Sequence, residues 1–138
     1  MYWKKGEQNY APVNVASGIK AFGVLQMLLE TQALDESKIL IWDEPENHLH
    51  PEWQIKFASV LVELAKAGIP ILISSHSPYF IQAVRYFADK LSMNDFVNYY
   101  LAEETEDELC VLEDVTDDLN RIFMKLAQPM NEIVNLGL

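Results

Sequence analysis

Two carboxylates stand side by side at Asp43 and Glu44, closing the apolar run of residues 39–42 and preceding Pro45. A buried strand that delivers adjacent acids to its carboxyl end can hold a hard divalent cation with one of them, while the other takes a proton from water attacking a phosphorus centre. Adjacent side chains on a strand point to opposite faces, so both acids can serve one site only if the backbone turns, and Pro45 favours a turn there. A second apolar run, residues 69–73, leads into Ser74, Ser75, His76, Ser77 and Pro78. A neutral imidazole at such a strand end can donate to an anion without leaving a fixed charge when the site is empty. Upstream, ASGIK at residues 16–20 sets Ser17 and Gly18 at a helix start, where free N–H groups and partial positive charge favour an anion and Gly18 permits close approach. Lys20 adds a positive charge one turn in.

The elements that must position these residues are legible from periodicity. Ser17 is a candidate N-cap for a buried helix over residues 19–30. Residues 39–42 and 69–73 are continuous apolar runs of the kind that fill central parallel strands. Between them, Pro51 suits the first turn of a helix whose apolar face is Trp53, Phe57, Val60, Leu61, Leu64 and Ala65, and Gly68 suits its left-handed cap. Ser77 and Pro78 open a further helix with Phe80, Ile81, Val84, Phe87, Ala88 and Leu91 on one side. This strand, helix, strand, helix order predicts an α/β architecture of parallel strands with crossover helices and ligands at the strand carboxyl ends. Beyond residue 91, residues 96–101 and 109–115 predict an antiparallel hairpin at the sheet edge, joined by the acidic EETEDE loop. A last helix is expected from Thr116, its N-cap, to about Gln128 before Pro129.

One core fits 138 residues of which 50% are hydrophobic, so a single domain is expected, with residues 1–14 a lead-in, 15–91 the core and 92–138 an acidic hairpin and terminal helix. The net charge of −11 is lopsided: residues 1–90 carry ten acids and eight bases, residues 91–138 eleven acids and two bases. Nine acids and no base lie within residues 103–118, a segment that repels a phosphate backbone and argues against nucleic-acid binding there. The single cysteine, Cys110, rules out an internal disulfide and fits a reducing compartment. No apolar run approaches the roughly 18 residues of a membrane span, and the first dozen residues lack a signal-peptide core. A cytoplasmic protein without membrane partners is the expectation.

The combination of ILIWDEPENHLHP at residues 39–51, SSHSP at 74–78 and ASGIK at 16–20 resembles the C-terminal half of an ATP-binding-cassette (ABC-type) ATPase of the P-loop NTPase class. It is most similar to the soluble, AAA-like ATP-binding proteins related to the overcoming-lysogenization and SMC/RecF-like enzymes. The resemblance implies ATP and Mg2+ as cofactors, with Asp43 (Walker B) the metal ligand, Glu44 the general base and His76 the switch histidine at the γ-phosphate. It makes Ser17, Gly18 and Lys20 a signature helix gripping ATP across a homodimer, and places Asn47 and His50 in the interface-crossing D-loop. His50 stands where transporter cassettes usually carry aspartate. The phosphate-cradling G-x-x-x-x-G-K-[ST] occurs nowhere in the chain, and its five glycines, at 6, 18, 23, 68 and 137, cannot form it. The expectation is therefore a partial ATPase domain that needs a P-loop from an N-terminal half or a partner chain, and that is inactive alone.

The same residues admit other readings. His48, His50 and His76 invite a zinc site, but His-x-His on a turn lacks a third nearby ligand and the two acids favour a hard cation. A small metal-dependent hydrolase has no support beyond residue types. Trp42 and Trp53 read as core residues rather than an adenine platform, and Glu103 to Glu108 as a solvated hairpin tip. The main alternative is a non-catalytic interaction module that dimerises or binds a full-length relative.

Overall fold

The computed structural model describes residues 3–5, 8–10, 17–105, 107 and 109–136. It divides into two compact units, residues 1–87 and 88–138, with the division falling late in one helix. The first unit begins with two short antiparallel strands, β1 (Trp3–Lys5) and β2 (Gln8–Tyr10), where the sequence showed no period. Helix α1 (Ser17–Glu30) follows, then strand β3 (Leu40–Asp43), helix α2 (Pro51–Lys66), strand β4 (Ile71–Ser74) and helix α3 (Pro78–Lys90). Strands β3 and β4 pair in parallel, Leu40 opposite Ile71 and Asp43 opposite Ser74, with α2 as the crossover. The chain is thus mixed α/β with a parallel sheet, as its periodicity predicts.

Local chemistry explains where α2 starts and stops. Pro51 occupies its first turn, where the missing N–H costs nothing, and the His50 ring accepts a hydrogen bond from the Glu52 amide at 3.3 Å as N-cap. At the other end Gly68 adopts φ 96°, and the Gly68 and Ile69 amides reach back to the Ala65 and Leu64 carbonyls at 3.0 and 3.1 Å. That pair of bonds is the Schellman cap, which needs a residue content with positive φ. A side chain at this glycine would also press on Glu36, whose Cγ lies 3.0 Å from the position a Cβ would take.

The core of the first unit gathers on one face of the sheet. Phe57 of α2 is fully buried and meets Phe22 of α1 at 4.9 Å, Trp42 of β3 at 5.6 Å and Phe80 of α3 at 6.4 Å between ring centroids. Leu25, Leu40, Leu49, Ala58 and Leu61 close around it. Two expectations are corrected. Trp53, counted as core, is 49% exposed, with its ring edge-on to Phe22 and Lys56 Nζ 4.5 Å from its centroid. Helix α1, read as a buried helix, buries the side bearing Ala21 and Leu25 and exposes Val24 and Leu29. The strands likewise cover one face: Leu40, Trp42, Ile71 and Ile73 face the helices, whereas Ile41 and Leu72 are 68% and 54% exposed on the other.

In the second unit, a single 3-10 turn at Asn94–Phe96 precedes the antiparallel strands β5 (Tyr100–Glu104) and β6 (Cys110–Asp114). Residues 96–99 are therefore not strand, because Asn94 and Asp95 take the chain into a turn first. The hairpin forms a two-stranded sheet of its own rather than the edge of β3 and β4. Its strands carry Glu103, Glu104, Glu113 and Asp114, and charge of one sign along a strand discourages edge pairing. Helix α4 (Asn120–Asn135) starts four residues later than expected and runs through Pro129 instead of ending before it. Thr116 does not cap it, since its hydroxyl accepts from the Tyr99 amide at 2.9 Å and so closes the base of the hairpin. No helix among the described residues is long and apolar enough to cross a membrane.

Candidate functional site

Strands β3 and β4 end side by side, and the loops leaving them bring Asp43, Glu44 and His76 together. Asp43 and Ser74 are register partners on the exposed face of the sheet, so the Ser74 hydroxyl donates directly to Asp43 Oδ1. After Asp43 the backbone turns sharply, because Glu44 has φ 45°, a left-handed conformation that is unfavourable for a non-glycine residue and more so before proline. Two bonds to β4 hold it there: the Glu44 amide donates to the Ser74 carbonyl at 3.1 Å and reaches the Ser74 hydroxyl at 3.2 Å. The turn expected at Pro45 thus occurs one residue earlier, and it leaves the Glu44 side chain against His76.

His76 Nδ1 lies 2.8 Å from Glu44 Oε1. A carboxylate only accepts, so in this contact Nδ1 carries the proton. In the neutral ring that leaves Nε2 an acceptor, and Nε2 becomes a donor only when the ring takes a second proton. This refines the sequence expectation, in which the neutral imidazole donates to phosphate. The other Glu44 oxygen, Oε2, has only Asn47 Nδ2 at 3.5 Å, the outer limit of hydrogen bonding. Both side chains are solvent-accessible, so the pair adds little stability, and its interest is geometric.

Loop 44–50 winds through two tight turns, with the Asn47 amide on the Glu44 carbonyl at 3.0 Å, the Leu49 amide on the Glu46 carbonyl at 2.9 Å, and a second positive φ, 65°, at His48. Asn47, His48 and His50 are exposed, while Pro45, Glu46 and Leu49 are buried. His50 serves α2 as its cap, with Nδ1 engaged by the Glu52 amide. Ser17 and Gly18 are the first residues of α1, and Lys20 is exposed one turn further on; the Ser17 side chain lies outside the described residues. The structure thus brings Asp43, Glu44, Asn47 and His76 into one cluster and places His50 on the adjoining helix cap. Among the described residues, no three His, Cys, Asp or Glu side chains come together as a metal-holding group. One exposed carboxylate at a strand end suits magnesium, which keeps most of its water and takes one or two carboxylates, better than zinc, which requires three or four protein ligands.

Four residues that brace these loops were not singled out as site residues from the sequence. Ser74 braces Asp43 and the Glu44 amide. Ser75 donates to Glu46 Oε1 at 2.5 Å, the Ser77 hydroxyl bonds Gln54 Oε1, and Gln54 Nε2 donates to the Leu49 carbonyl at 2.9 Å. The available sign was the unusual density of hydroxyls around His76 in SSHSP, three serines at a strand end with nothing apolar among them.

A family model described as "AAA domain, putative AbiEii toxin, Type IV TA system" matches residues 1–82, a stretch that holds every candidate site residue. The chain belongs to this AAA-domain family. Within curated proteins, the AAA domain is similar to the uncharacterized protein MJ1542 of Methanocaldococcus jannaschii, 30% identical over 88 residues that make up 64% of this chain and 10% of that protein. It is also similar to the energy-coupling factor transporter ATP-binding protein EcfA of Methanothermobacter thermautotrophicus, 29% identical over 86 residues, 62% of this chain and 25% of that one. The chain therefore spans about a tenth and a quarter of the lengths of these two relatives. No solved structure matches it.

Proposed function

We propose that this chain supplies the magnesium ligand, the general base, the switch histidine and the signature helix of an ATP-hydrolysing domain of ABC type and P-loop NTPase fold. A P-loop contributed by another segment or chain would complete the site. The observation that carries this reading is the meeting of Glu44 and His76 at 2.8 Å, with Asp43 beside them, at the carboxyl ends of two paired parallel strands. Membership of an AAA-domain family and similarity to an energy-coupling factor transporter ATP-binding protein support the nucleotide as ligand. The sheet supports the contribution of another segment or chain: parallel strands are normally covered on both faces, and the face bearing Ile41 and Leu72 is exposed.

In this reading Asp43 would hold Mg2+, with the Ser74 hydroxyl fixing the carboxylate's orientation. Bound magnesium supplies neutralisation of the charge that develops on the phosphate oxygens. His76 holds Glu44 Oε1, which leaves Oε2 to take the proton of the attacking water, and the weak Asn47 contact is easily surrendered. His76 Nε2, the ring nitrogen not engaged by Glu44, would reach the γ-phosphate and donate to it once the ring holds its second proton. Ser17, Gly18 and Lys20 at the start of α1 would close over ATP held by a second protomer, with the loop of Asn47 and His50 at the interface.

The test combines the chain with a P-loop-bearing half and measures phosphate release against magnesium concentration. The assembly is expected to hydrolyse ATP, and Asp43→Asn to raise the magnesium requirement about tenfold or more. An unchanged magnesium dependence would remove Asp43 from the metal role.

A further inference from the structure

We propose that Glu46 is a positioning residue for His76, acting through Ser75. Among the described residues Glu46 is the charged side chain that is buried, at 2% exposure, and a buried carboxylate is costly unless it is hydrogen-bonded. Its Oε1 accepts from the Ser75 hydroxyl at 2.5 Å, and its Oε2 finds no partner among the described residues. A leucine would fill such a place at less cost, so the carboxylate's role lies in what it holds. It holds the residue immediately before His76, from a loop position two residues after Glu44.

The hydrogen bonds around His76 form a bracket. Ser75 Oγ donates to Glu46 and accepts the Ser77 amide at 3.2 Å, which ties the backbone on both sides of His76. The Ser77 hydroxyl bonds Gln54 of α2, and Gln54 in turn binds the Leu49 carbonyl, at the far end of the loop that begins with Glu44. The loops after β3 and β4 are thereby joined beneath the site at both ends. The Glu44 and His76 side chains project from this frame into solvent, where their own attraction is too weak to fix two rotatable groups. Their 2.8 Å approach is set by the buried Glu46 and Ser75 contact, and only the consequence for hydrolysis rests on the function proposed above.

The test reads the coupling between Glu44 and His76 without nucleotide. Glu44→Ala is made in the 138-residue chain and in Glu46→Leu, Glu46→Gln and Ser75→Ala backgrounds, and the His76 ring Cε1–Hε1 resonance is followed by NMR. Glu44→Ala should displace that resonance in the parent and in Glu46→Gln, whose amide oxygen still accepts from Ser75. In Glu46→Leu and Ser75→Ala the displacement should shrink by about threefold or more, since the two residues are no longer held together. Equal displacements in all four backgrounds overturn the proposal. If Glu46→Leu loses its helical circular dichroism, Ser75→Ala, which removes a single hydroxyl, decides. In an ATP-hydrolysing assembly, Ser75→Ala should lower kcat by about tenfold with KM for ATP unchanged. A parent assembly without ATPase activity would refute the proposed function, and the resonance displacements would still decide whether Glu46 positions His76.

Discussion

Replacing Phe57 with alanine tests whether the core that carries the site is built as described. The ring is fully buried and touches one aromatic side chain on each of α1, β3 and α3, so its loss removes the common contact of four elements. Truncating a buried phenylalanine costs about 3–5 kcal/mol, the range covering both lost transfer energy and the cavity left behind. The upper end applies here, because Phe22 and Trp42 approach at 79° and 88° between ring planes, and edge-to-face pairs add about 0.5–1.5 kcal/mol each beyond area. Against a domain stability of about 5–15 kcal/mol, such a loss leaves a large unfolded fraction. In urea denaturation followed by far-UV circular dichroism, a slope near 1.5 kcal/mol/M translates it into a midpoint lower by about 2–3 M. Trp53→Ala is the internal contrast. That side chain is larger, but it is half exposed and held by one ring edge and one lysine, so its loss should cost about 1 kcal/mol. If Trp53→Ala proved the more damaging, the apolar face expected from periodicity would be right and the packing described here wrong.

Further outcomes follow from the loops. Gly68→Ala should destabilise the chain by about 1–2 kcal/mol, because φ 96° is strained for any residue with a Cβ and that Cβ would press on Glu36; a neutral or stabilising result in urea titration would contradict the cap geometry. Asp35 is held at about 2, below its ordinary 3.8, chiefly by the Lys38 hydrogen bond and then by the Ser37 hydroxyl and amide. A carboxyl with a depressed folded value contributes stability that is present above pH about 4 and lost as pH falls toward 2. A carbon-detected NMR titration of the Asp35 carboxyl should find its midpoint near 2 in the parent and closer to 3.8 in Lys38→Met, and an unmoved midpoint would remove Lys38 as the cause.

What the sequence disclosed, and what it hid, follows the range of the interactions involved. Helix α2 was legible at both ends because Pro51 and Gly68 act through their own backbone geometry. Strands β3 and β4 were legible as apolar runs, since runs this short between helical patterns fit buried parallel strands. The exposure of Ile41 and Leu72 was not legible, because a residue type states only that a face is apolar and never what covers it. Pro129 was misread as a stop although α4 continues through it, and with residues 127–136 all exposed no packing contact among the described residues accounts for it. Asp43, Glu44 and His76 were singled out by type and place. Glu46 was not singled out, because its contact is with Ser75, on the other loop, and local pattern carries no information across that distance.

The central claim, that Glu44 is the base of an ATP-hydrolysing site, is tested most directly by turnover of a Glu44→Gln assembly containing this chain and a P-loop half. Removing a general base typically costs about 10²–10⁴ in rate, and glutamine keeps the size and one oxygen of the side chain, so ATP binding should be spared. The expected result is a fall in kcat of about 100-fold or more with nucleotide affinity nearly unchanged. Turnover equal to the parent's would contradict the account.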